Sequence, residues 1–333
     1  MVSNAEALKR PLRCVYKVVD GQEIDVDVYL PRPTSQDKPK NGYCTLIDIH
    51  GGAFMLGHAD MVNKDQIRDC LDRSWIVLVP NHRLCPQVDL YEGPMQDCRD
   101  LLAWVYNEGE GLSAALQTEF GEEYPLDLDH VFAMGTSSGG TLALSLGFGV
   151  PRPVAGIYDM YGACNFTDPS WTARLPHIAD KLPTHLTKDF ISQVYRETPV
   201  PTRGGVSLEG QANPGGAPDF TDPRVGFAMT QIGNGTVLEA IMPSKEWDKV
   251  DPLRNITPSF PPTFISHGDK DNMVPMSLSE DLLRALRENG VRSEMVRVPD
   301  EGHTFAGKMQ VGSRTWELQR RGFDFLESLI SQR

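Results

Sequence analysis

Hydrophobic and polar residues alternate strictly near the start of the chain. From Ile24 to Leu30 every second residue is apolar, and Asp25 and Asp27 lie between them. A period of two is typical of a strand with one buried and one solvated face. Because a turn at Asp20–Gly21 precedes this run, we predict an antiparallel hairpin of strands 12–19 and 22–30 with one wet face.

Later candidate strands are mostly short apolar runs with helical patterns between them. The strands are predicted at 44–49, 75–79, 131–134, 154–158, 262–266 and 293–298. The helices are predicted at 60–73, 90–107, from about 138, 276–289 and 312–331. Uninterrupted apolar strands are typical of parallel sheets that are covered on both faces. The alternation predicts an α/β fold, a mostly parallel doubly wound sheet with an antiparallel edge.

This strand–helix alternation stops between residues 162 and 250. The stretch is richer in Pro, Gly, Thr and aromatic residues, with helical pieces near 180–197 and 220–242 and an exposed loop at 198–219. We therefore predict a core of residues 1–161 and 251–333 and an inserted cap of residues 162–250. The cap is expected over the C-terminal edge of the sheet, where ligands bind in such folds.

Composition narrows the class of protein. A net charge of −13 argues against a general nucleic-acid binder or a binder of anionic membranes. No run of about 18 apolar residues predicts a membrane span, and no apolar N-terminal segment predicts a signal peptide, so a cytoplasmic location is expected. The six cysteines are scattered without metal-ligand spacing. They are expected to be reduced, and neither a metal nor a cofactor is predicted.

The most informative stretch joins the apolar run 131–134 to a helix of small residues. Between them Gly135, Ser137 and Gly139 form a G-x-S-x-G pattern in a strand–turn–helix setting. The glycines remove the Cβ atoms that would clash in so sharp a turn. A helix N-terminus directly after Ser137 provides free N–H groups for a developing oxyanion. Ser137 is therefore the candidate nucleophile.

Candidates for a base and an acid follow the last two predicted strands. His303 lies in the loop after the final strand and is the candidate general base. Asp271 and Asp269 both lie in the loop after the preceding strand, and either carboxylate could orient the imidazole. The order Ser, Asp, His along the chain is the one typical of α/β hydrolases.

A glycine-rich loop, His50–Phe54, follows the third predicted strand. We predict that the amides of Gly52 and Ala53, together with the amide of Ser138, form an oxyanion hole. The His50 ring is expected to hold this loop by hydrogen bonds. Phe54 is a candidate for the substrate pocket, together with Trp171 and Phe190 in the cap.

These motifs together resemble the α/β-hydrolase superfamily and, within it, the hormone-sensitive-lipase-like carboxylesterases. The resemblance covers roughly residues 44–158 and 250–331. The pieces that carry it are His50–Phe54, Asn81–Pro86, Gly135–Gly140, Asp251–Leu253, Gly268–Pro275 and Gly302–Phe305. The chain departs from the family where Ala53 replaces a glycine and where N-terminal cap helices are missing.

The resemblance implies an α/β-hydrolase fold and assigns roles to particular residues. It favours Asp271 as the triad acid and implies that Arg83 is structural, paired with a carboxylate such as Asp97. It implies a serine hydrolase that forms an acyl-enzyme on Ser137.

Three functions remain open at this stage. The first is cleavage of an ester, thioester or lactone of a small-molecule acyl substrate. The second is an acyltransferase or cyclase that releases or lactonises a polyketide-like chain, and the third is a small-molecule receptor on a hydrolase fold. A peptidase is not favoured, because no propeller-sized segment precedes the hydrolase part. The oligomeric state is left open, a dimer included.

Overall fold

The computed structural model describes residue 8 and residues 11–32, 39–205 and 218–330. Its strands are β1 (Leu12–Val19), β2 (Gln22–Tyr29), β3 (Tyr43–Ile49), β4 (Ile76–Pro80), β5 (Leu126–Thr136), β6 (Gly156–Met160), β7 (Thr263–Gly268) and β8 (Ser293–Val298). They form one eight-stranded sheet in the order β1-β2-β4-β3-β5-β6-β7-β8. β2 is antiparallel to both β1 and β4, and the other neighbours pair parallel. The predicted parallel sheet with an antiparallel edge is confirmed.

Helices lie on both faces of the sheet and in the segment between β6 and β7. They are α1 (Lys64–Asp72), α2 (Gln96–Tyr106), α3 (Leu112–Phe120), α4 (Ser138–Ser145), α5 (Pro176–Ala179), α6 (Lys188–Ile191), α7 (Pro223–Asn234), α8 (Val237–Ile241), α9 (Trp247–Val250), α10 (Met276–Glu288) and α11 (Arg314–Ile330). A π-helical turn, Tyr91–Met95, precedes α2. Short 3₁₀ turns lie at Ala59–Met61, Gly121–Glu123, Pro169–Thr172, Ser192–Arg196, Pro252–Asn255 and Phe305–Gly307.

Two local predictions differ from the structure. The expected helix near 180–197 is only α6 followed by a 3₁₀ turn, and prolines lie on both sides of this short helical stretch. The predicted wet face of β2 does not extend to Asp27, which is 2% exposed because it pairs with Arg13 at 2.8 Å. Helix α3 was not predicted from the pattern.

Buried apolar side chains form a cluster on each face of the sheet. One cluster includes residues from α2, α3, α4 and α10. The other lies beneath α1 and α11 and contains Trp75, Phe132 and Phe323, whose rings contact one another edge-on or tilted. β5 lies in the middle of the sheet, and both of its faces are covered by these clusters. Its C-terminal end is therefore packed on both sides.

A buried arginine makes several of the contacts between the core and the segment that joins β6 to β7. Arg224, on α7, is 3% exposed and donates to the carbonyl oxygens of Met55 and Cys85 at 2.8 and 2.7 Å. It also binds Glu197 at 2.6 Å. The boundaries of the cap stay a prediction, and residues 206–217 of the predicted loop lie outside the described residues.

Within the described ranges, no helix combines the length and apolar character needed to span a bilayer. None of the six cysteines forms a disulfide, and five of them are buried.

Candidate active site

Ser137 lies on the sharp turn between β5 and α4. Its backbone has φ 53° and ψ −122°, a conformation that non-glycine residues rarely adopt. A Cβ on Gly135 would lie 2.2 Å from the carbonyl oxygen of Gly139, and a Cβ on Gly139 would lie 2.1 Å from that of Ile49. Both glycines are therefore required, because the start of α4 packs directly on the turn and on β3.

The side chain of Ser137 begins a chain of two hydrogen bonds. Its Oγ lies 2.8 Å from Nε2 of His303, and Nδ1 of His303 lies 2.6 Å from Oδ2 of Asp271. The carboxylate accepts from Nδ1, so Nε2 is left to accept the hydroxyl proton. Ser137 is 9% exposed and His303 is 6% exposed. The structure thus brings together the three residues predicted as a triad.

Asp271 is held on both of its carboxylate oxygens. Its Oδ1 accepts from the amides of Met273 and Val274, both at 2.9 Å. Nε2 of His267, a fully buried ring, lies 3.1 Å from Oδ2. Burial acts to raise the pKa of the Asp271 carboxyl, but the charge of His303 and the hydrogen bonds from His267 and His303 hold that pKa well below its usual range. These contacts favour the ionised carboxylate of Asp271.

Asp269, the competing carboxylate, faces elsewhere. Its Oδ1 accepts from the amide of Asp300 at 2.8 Å, a contact between two loops. The residue stabilises the turn after β7, as Asp often does. Of the two aspartates, only Asp271 has a described contact with His303.

Two amides face the cleft beside Ser137. Ser138 is the first residue of α4, so its N–H has no partner within the helix. Ala53 has φ 54° in the loop after β3. In the described part of the chain neither amide has a protein acceptor, and both residues line the cleft. An oxyanion hole formed by these two amides stays a prediction.

Gly52 has a different place in this loop. Its carbonyl accepts from the amides of Met55 and Leu56, and a Cβ on it would lie 2.2 Å from the carbonyl oxygen of Leu56. It lies next to Ala53 but is not among the residues that line the cleft. Its demonstrable contribution is to let the loop turn back on itself at φ 132°.

His50 supports this loop, as predicted. Its Nδ1 donates to the carbonyl of Gly51 at 2.8 Å, and its ring stacks on His82 with a centroid distance of 4.5 Å. Burial, and then the neighbouring His82, lower the pKa of His50 well below its usual value. It is therefore a neutral ring and a poor candidate for a second base.

The predicted pair of Arg83 and Asp97 is also present. The guanidinium binds the fully buried carboxylate with its Nη2 2.7 Å from Oδ1. Lys17 donates to the same oxygen at 2.6 Å. Arg83 therefore ties the segment after β4 to α2 and has a structural role.

The cleft above Ser137 is lined mainly by apolar side chains. It measures about 70 Å³, and about 640 Å³ when the space at its mouth is included. Its walls combine core and cap residues, namely Ala53, Phe54, Ala163, Trp171, Ala173, Leu175, Ile232, Val237, Leu238, Met273 and Val274. The indole Nε1 of Trp171 donates to the carbonyls of Cys164 and Asn165, which fixes the ring. Phe54 and Trp171 thus lie where a substrate pocket was predicted.

Phe190 lies away from this cleft, and its predicted place in the substrate pocket stays a prediction. This residue is on α6, its ring packs edge-on against His185 at 5.6 Å, and it does not line the cleft. The pattern of aromatic residues in the cap did not distinguish Phe190 from Trp171, because only the path of the chain decides which ring reaches Ser137.

Sequence reasoning missed two rings that hold the site in place. His267 contacts Asp271 from behind, as described above. Tyr161, directly after β6, packs edge-on against His303 with ring centroids 5.1 Å apart. His267 lies in the C-terminal part of β7 and Tyr161 directly follows β6. Their position at the C-terminal ends of parallel strands is the signal that could have identified them.

One group of potential metal ligands was found among the described residues, in the N-terminal parts of β3 and β5. Ligand atoms of Cys44, Asp127 and His130 lie within 4.8 Å of one another. Nδ1 of His130 lies 2.7 Å from Oδ2 of Asp127, so these two side chains already hydrogen-bond each other without a metal. Burial, with a smaller effect of Asp127, raises the pKa of the Cys44 thiol to about 12, which disfavours the thiolate that a metal needs. None of these residues is at the serine site.

A parallel sheet with a strained serine after its central strand, and with His303 and Asp271 after its last two strands, defines an α/β hydrolase of the serine type. Comparison with known families agrees. The BD-FAE family model matches residues 26–169, and the prolyl oligopeptidase family model matches residues 222–332. The chain belongs to the α/β-hydrolase superfamily.

Similar curated proteins are fungal polyketide synthases. The chain is 28% identical over 326 residues to the non-reducing polyketide synthase ausA of Emericella nidulans, a match that covers 87% of this chain and 13% of that protein. It is 30% identical over 338 residues to the non-reducing polyketide synthase Preu6 of Preussia isomera, covering 93% of this chain and 14% of that protein. The chain thus spans about one seventh of these relatives.

Similar solved structures support the fold. A protein of unknown function from Staphylococcus aureus aligns with a TM-score of 0.67 and 21% identity, covering 96% of this chain and 99% of that one. Native esterase 2 of Thermogutta terrifontis aligns with a TM-score of 0.60 and 16% identity, covering 98% of this chain and 93% of that one. At these identities the likeness concerns the fold, and the fold is that of a hydrolase.

Proposed function

We propose that this protein is a serine hydrolase that cleaves a carboxylic ester, thioester or lactone through an acyl-enzyme on Ser137. The observation that carries the proposal is the continuous hydrogen bonding from Ser137 through His303 to Asp271 on the floor of an apolar cleft. The same intact chain favours an enzyme over a receptor, because a receptor has no need of a strained serine bonded to a histidine.

The proposed reaction follows from the positions of these groups. Nε2 of His303 takes the proton of Ser137 as Oγ attacks the acyl carbon, and Asp271 stabilises the imidazolium that forms. The amides of Ala53 and Ser138 donate to the oxyanion of the tetrahedral intermediate. His303 then protonates the departing alcohol or thiol, and water enters by the same route to release the acid.

The test of this chemistry is labelling with a fluorophosphonate, followed by identification of the modified peptide. We expect the label on Ser137 and none in Ser137→Ala. Turnover of p-nitrophenyl butyrate should fall by about 10³-fold or more in that variant, with an unchanged circular dichroism spectrum, because the triad acts as a unit. A label on another serine, or near-normal turnover in Ser137→Ala, would contradict the assignment.

The acyl group is proposed to be apolar and larger than acetyl. The cleft walls contributed by the cap are apolar, and Trp171 is fixed among them. Trp171→Ala should therefore change the ratio of kcat/KM between octanoyl and acetyl esters by about tenfold, the value of one or two lost methylene contacts. Phe190→Ala is the matched control, since that ring is outside the cleft. An equal change in both variants would reject the pocket.

A second candidate function is supported by the relatives. Since the chain resembles non-reducing polyketide synthases over most of its length, we propose that its substrate is the acyl thioester of a polyketide-like chain. An internal hydroxyl could then intercept the acyl-enzyme in place of water and give a lactone, which the apolar cleft would favour by excluding solvent.

A hydroxyacyl thioester of N-acetylcysteamine separates these outcomes. We expect turnover that depends on Ser137, with the ratio of lactone to free acid read by mass spectrometry. A lactone product supports cyclisation, and free acid alone supports hydrolysis. If simple esters are cleaved and the thioester is not, release of a polyketide thioester is excluded.

A further inference from the structure

Arg99, on α2, is a buried cation without an acidic partner. The residue is 8% exposed. No salt bridge joins it to a carboxylate in the described ranges, and its Nε has no hydrogen-bond partner there. Its Nη2 donates to the carbonyl of Phe148 at 3.1 Å. The Tyr91 side chain also hydrogen-bonds the guanidinium. A buried charge held by a carbonyl and a phenol, with no carboxylate among its described partners, is unfavourable, so its presence calls for a reason.

Two aromatic rings hold this guanidinium in place. Its Cζ lies 5.7 Å from the ring centroid of Tyr91 and 5.2 Å from that of Phe148. These cation–π contacts stabilise the charge of the guanidinium less than a buried ion pair with a carboxylate would. Burial lowers the pKa of Arg99 from its ordinary value, as expected for a cation that lacks an anion.

The side chain lines a cavity of about 240 Å³. Its walls are otherwise mainly apolar, with Leu102, Tyr106, Val150 and Pro151. A cavity of about 150 Å³ can hold benzene, so this one has room for a ring and a charged substituent. The cavity lies beyond the C-terminal end of α4, whereas Ser137 precedes its N-terminus.

Arg152, at the rim of the cavity, already has partners. Its Nη2 donates to the carbonyl of Leu128 at 2.6 Å and to Asp129 at 2.9 Å. Its guanidinium also stacks over Tyr106, 4.4 Å from the ring centroid. Arg152 therefore adds positive potential at the opening, while Arg99 is the cation that still lacks an anion.

We propose that this cavity is a second ligand site, which binds a small organic acid through a carboxylate on Arg99 and an apolar body against Leu102 and Val150. An arginine fork matches a carboxylate in geometry and charge. The apolar side chains Leu102 and Val150 beside Arg99 lower the local polarity, which strengthens such an ion pair relative to one in bulk water. This site does not depend on the reaction proposed for Ser137.

Benzoate is a suitable probe, with benzyl alcohol and inorganic phosphate as controls, and isothermal titration calorimetry as the measurement. We expect benzoate to bind the wild-type protein at least about tenfold more tightly than benzyl alcohol, which has no charge, and than phosphate, which has no apolar body. Arg99→Met should weaken benzoate by at least about tenfold.

Substitutions at two exposed positions test the site without changing Arg99, so they remain informative if Arg99→Met fails to fold. Ala103 is an exposed residue of the cavity wall, so Ala103→Trp should obstruct the cavity and weaken benzoate by about tenfold. Gln117→Trp, on the exposed side of α3, should leave the affinity unchanged. No binding at about 10 mM benzoate, equal affinity for benzyl alcohol, or full affinity in Ala103→Trp would overturn the proposal.

Discussion

Replacing Asp271 by asparagine removes the charge behind His303 and keeps the shape of the side chain. In the structure Oδ1 of Asp271 accepts from two backbone amides, at Met273 and Val274. These contacts hold the oxygen of an asparagine at the same place. The amide nitrogen would then face Nδ1 of His303, where Oδ2 lies 2.6 Å away in the wild-type protein.

A donor facing a donor forces the imidazole into the other tautomer. Nε2 of His303 would then carry the proton, and it could no longer accept the proton of Ser137. The loss of the carboxylate charge also removes stabilisation of the imidazolium. Together these effects should lower kcat by about 10²–10⁴, the range for triad acids.

The assay is the hydrolysis of p-nitrophenyl butyrate, with kcat and KM determined separately. Asp269→Asn is the matched control, because it makes the same chemical change two residues away, where the carboxylate accepts from the amide of Asp300. We expect kcat of Asp269→Asn to stay within about threefold of the wild type, with little change of KM in either variant.

The reasoning fails if the two variants lose activity equally or if Asp269→Asn loses more. It also fails if Asp271→Asn is folded and turns over near the wild-type rate. Either result would mean that the carboxylate seen against His303 does not orient it during the reaction.

Three further predictions concern positions around the site. Ala53→Gly should raise the free energy of unfolding by about 1 kcal/mol, since φ 54° is unfavourable for alanine, and should keep ester turnover within about tenfold; thermal melts that show destabilisation would contradict this. Arg224→Gln should lower the free energy of unfolding by about 2–3 kcal/mol in urea titrations, because Met55 and Cys85 lose a buried donor. Burial raises the pKa of Asp48 to about 7, whereas its pKa in the unfolded chain is about 3.9. The neutral form of Asp48 therefore contributes its full stability below about pH 4, and this contribution is lost as the pH rises through 7. Asp48→Asn should therefore stabilise more at pH 8 than at pH 5, by about 2–3 kcal/mol, whereas parallel stability curves would refute the buried neutral acid.

Local patterns were sufficient to predict several parts of the molecule. The G-x-S-x-G pattern between a strand and a helix is visible within a short stretch, so the candidate nucleophile could be identified without the fold. The need for Gly135 is local, because its Cβ would meet Gly139, whereas the need for Gly139 comes from its contact with Ile49 of β3. The strand runs at 76–80 and 263–268 are buried on both faces, and their composition alone indicates a parallel sheet. The pairing of Arg83 with Asp97, inferred from the resemblance, was also confirmed.

Other features depend on contacts between distant parts of the chain. Asp269 and Asp271 have the same chemistry and nearly the same sequence position, so the local pattern left both open and only the resemblance favoured Asp271. The fold places Asp271 against His303 and Asp269 against the amide of Asp300. Trp171 and Phe190 are equally plausible from composition, and only one of them reaches the cleft.

The sequence by itself therefore determined the class of fold, the serine at the turn and the histidine after the last strand, because these follow from periodicity and from local backbone geometry. The tertiary structure decided which aromatic ring reaches the cleft, and it places Asp271, which the resemblance had favoured, against His303. It also revealed that Arg99 is buried and has no acidic partner among the residues that the structure describes. The burial of a side chain and the pairing of its charge depend on neighbours from all parts of the chain. A local sequence pattern does not identify those neighbours.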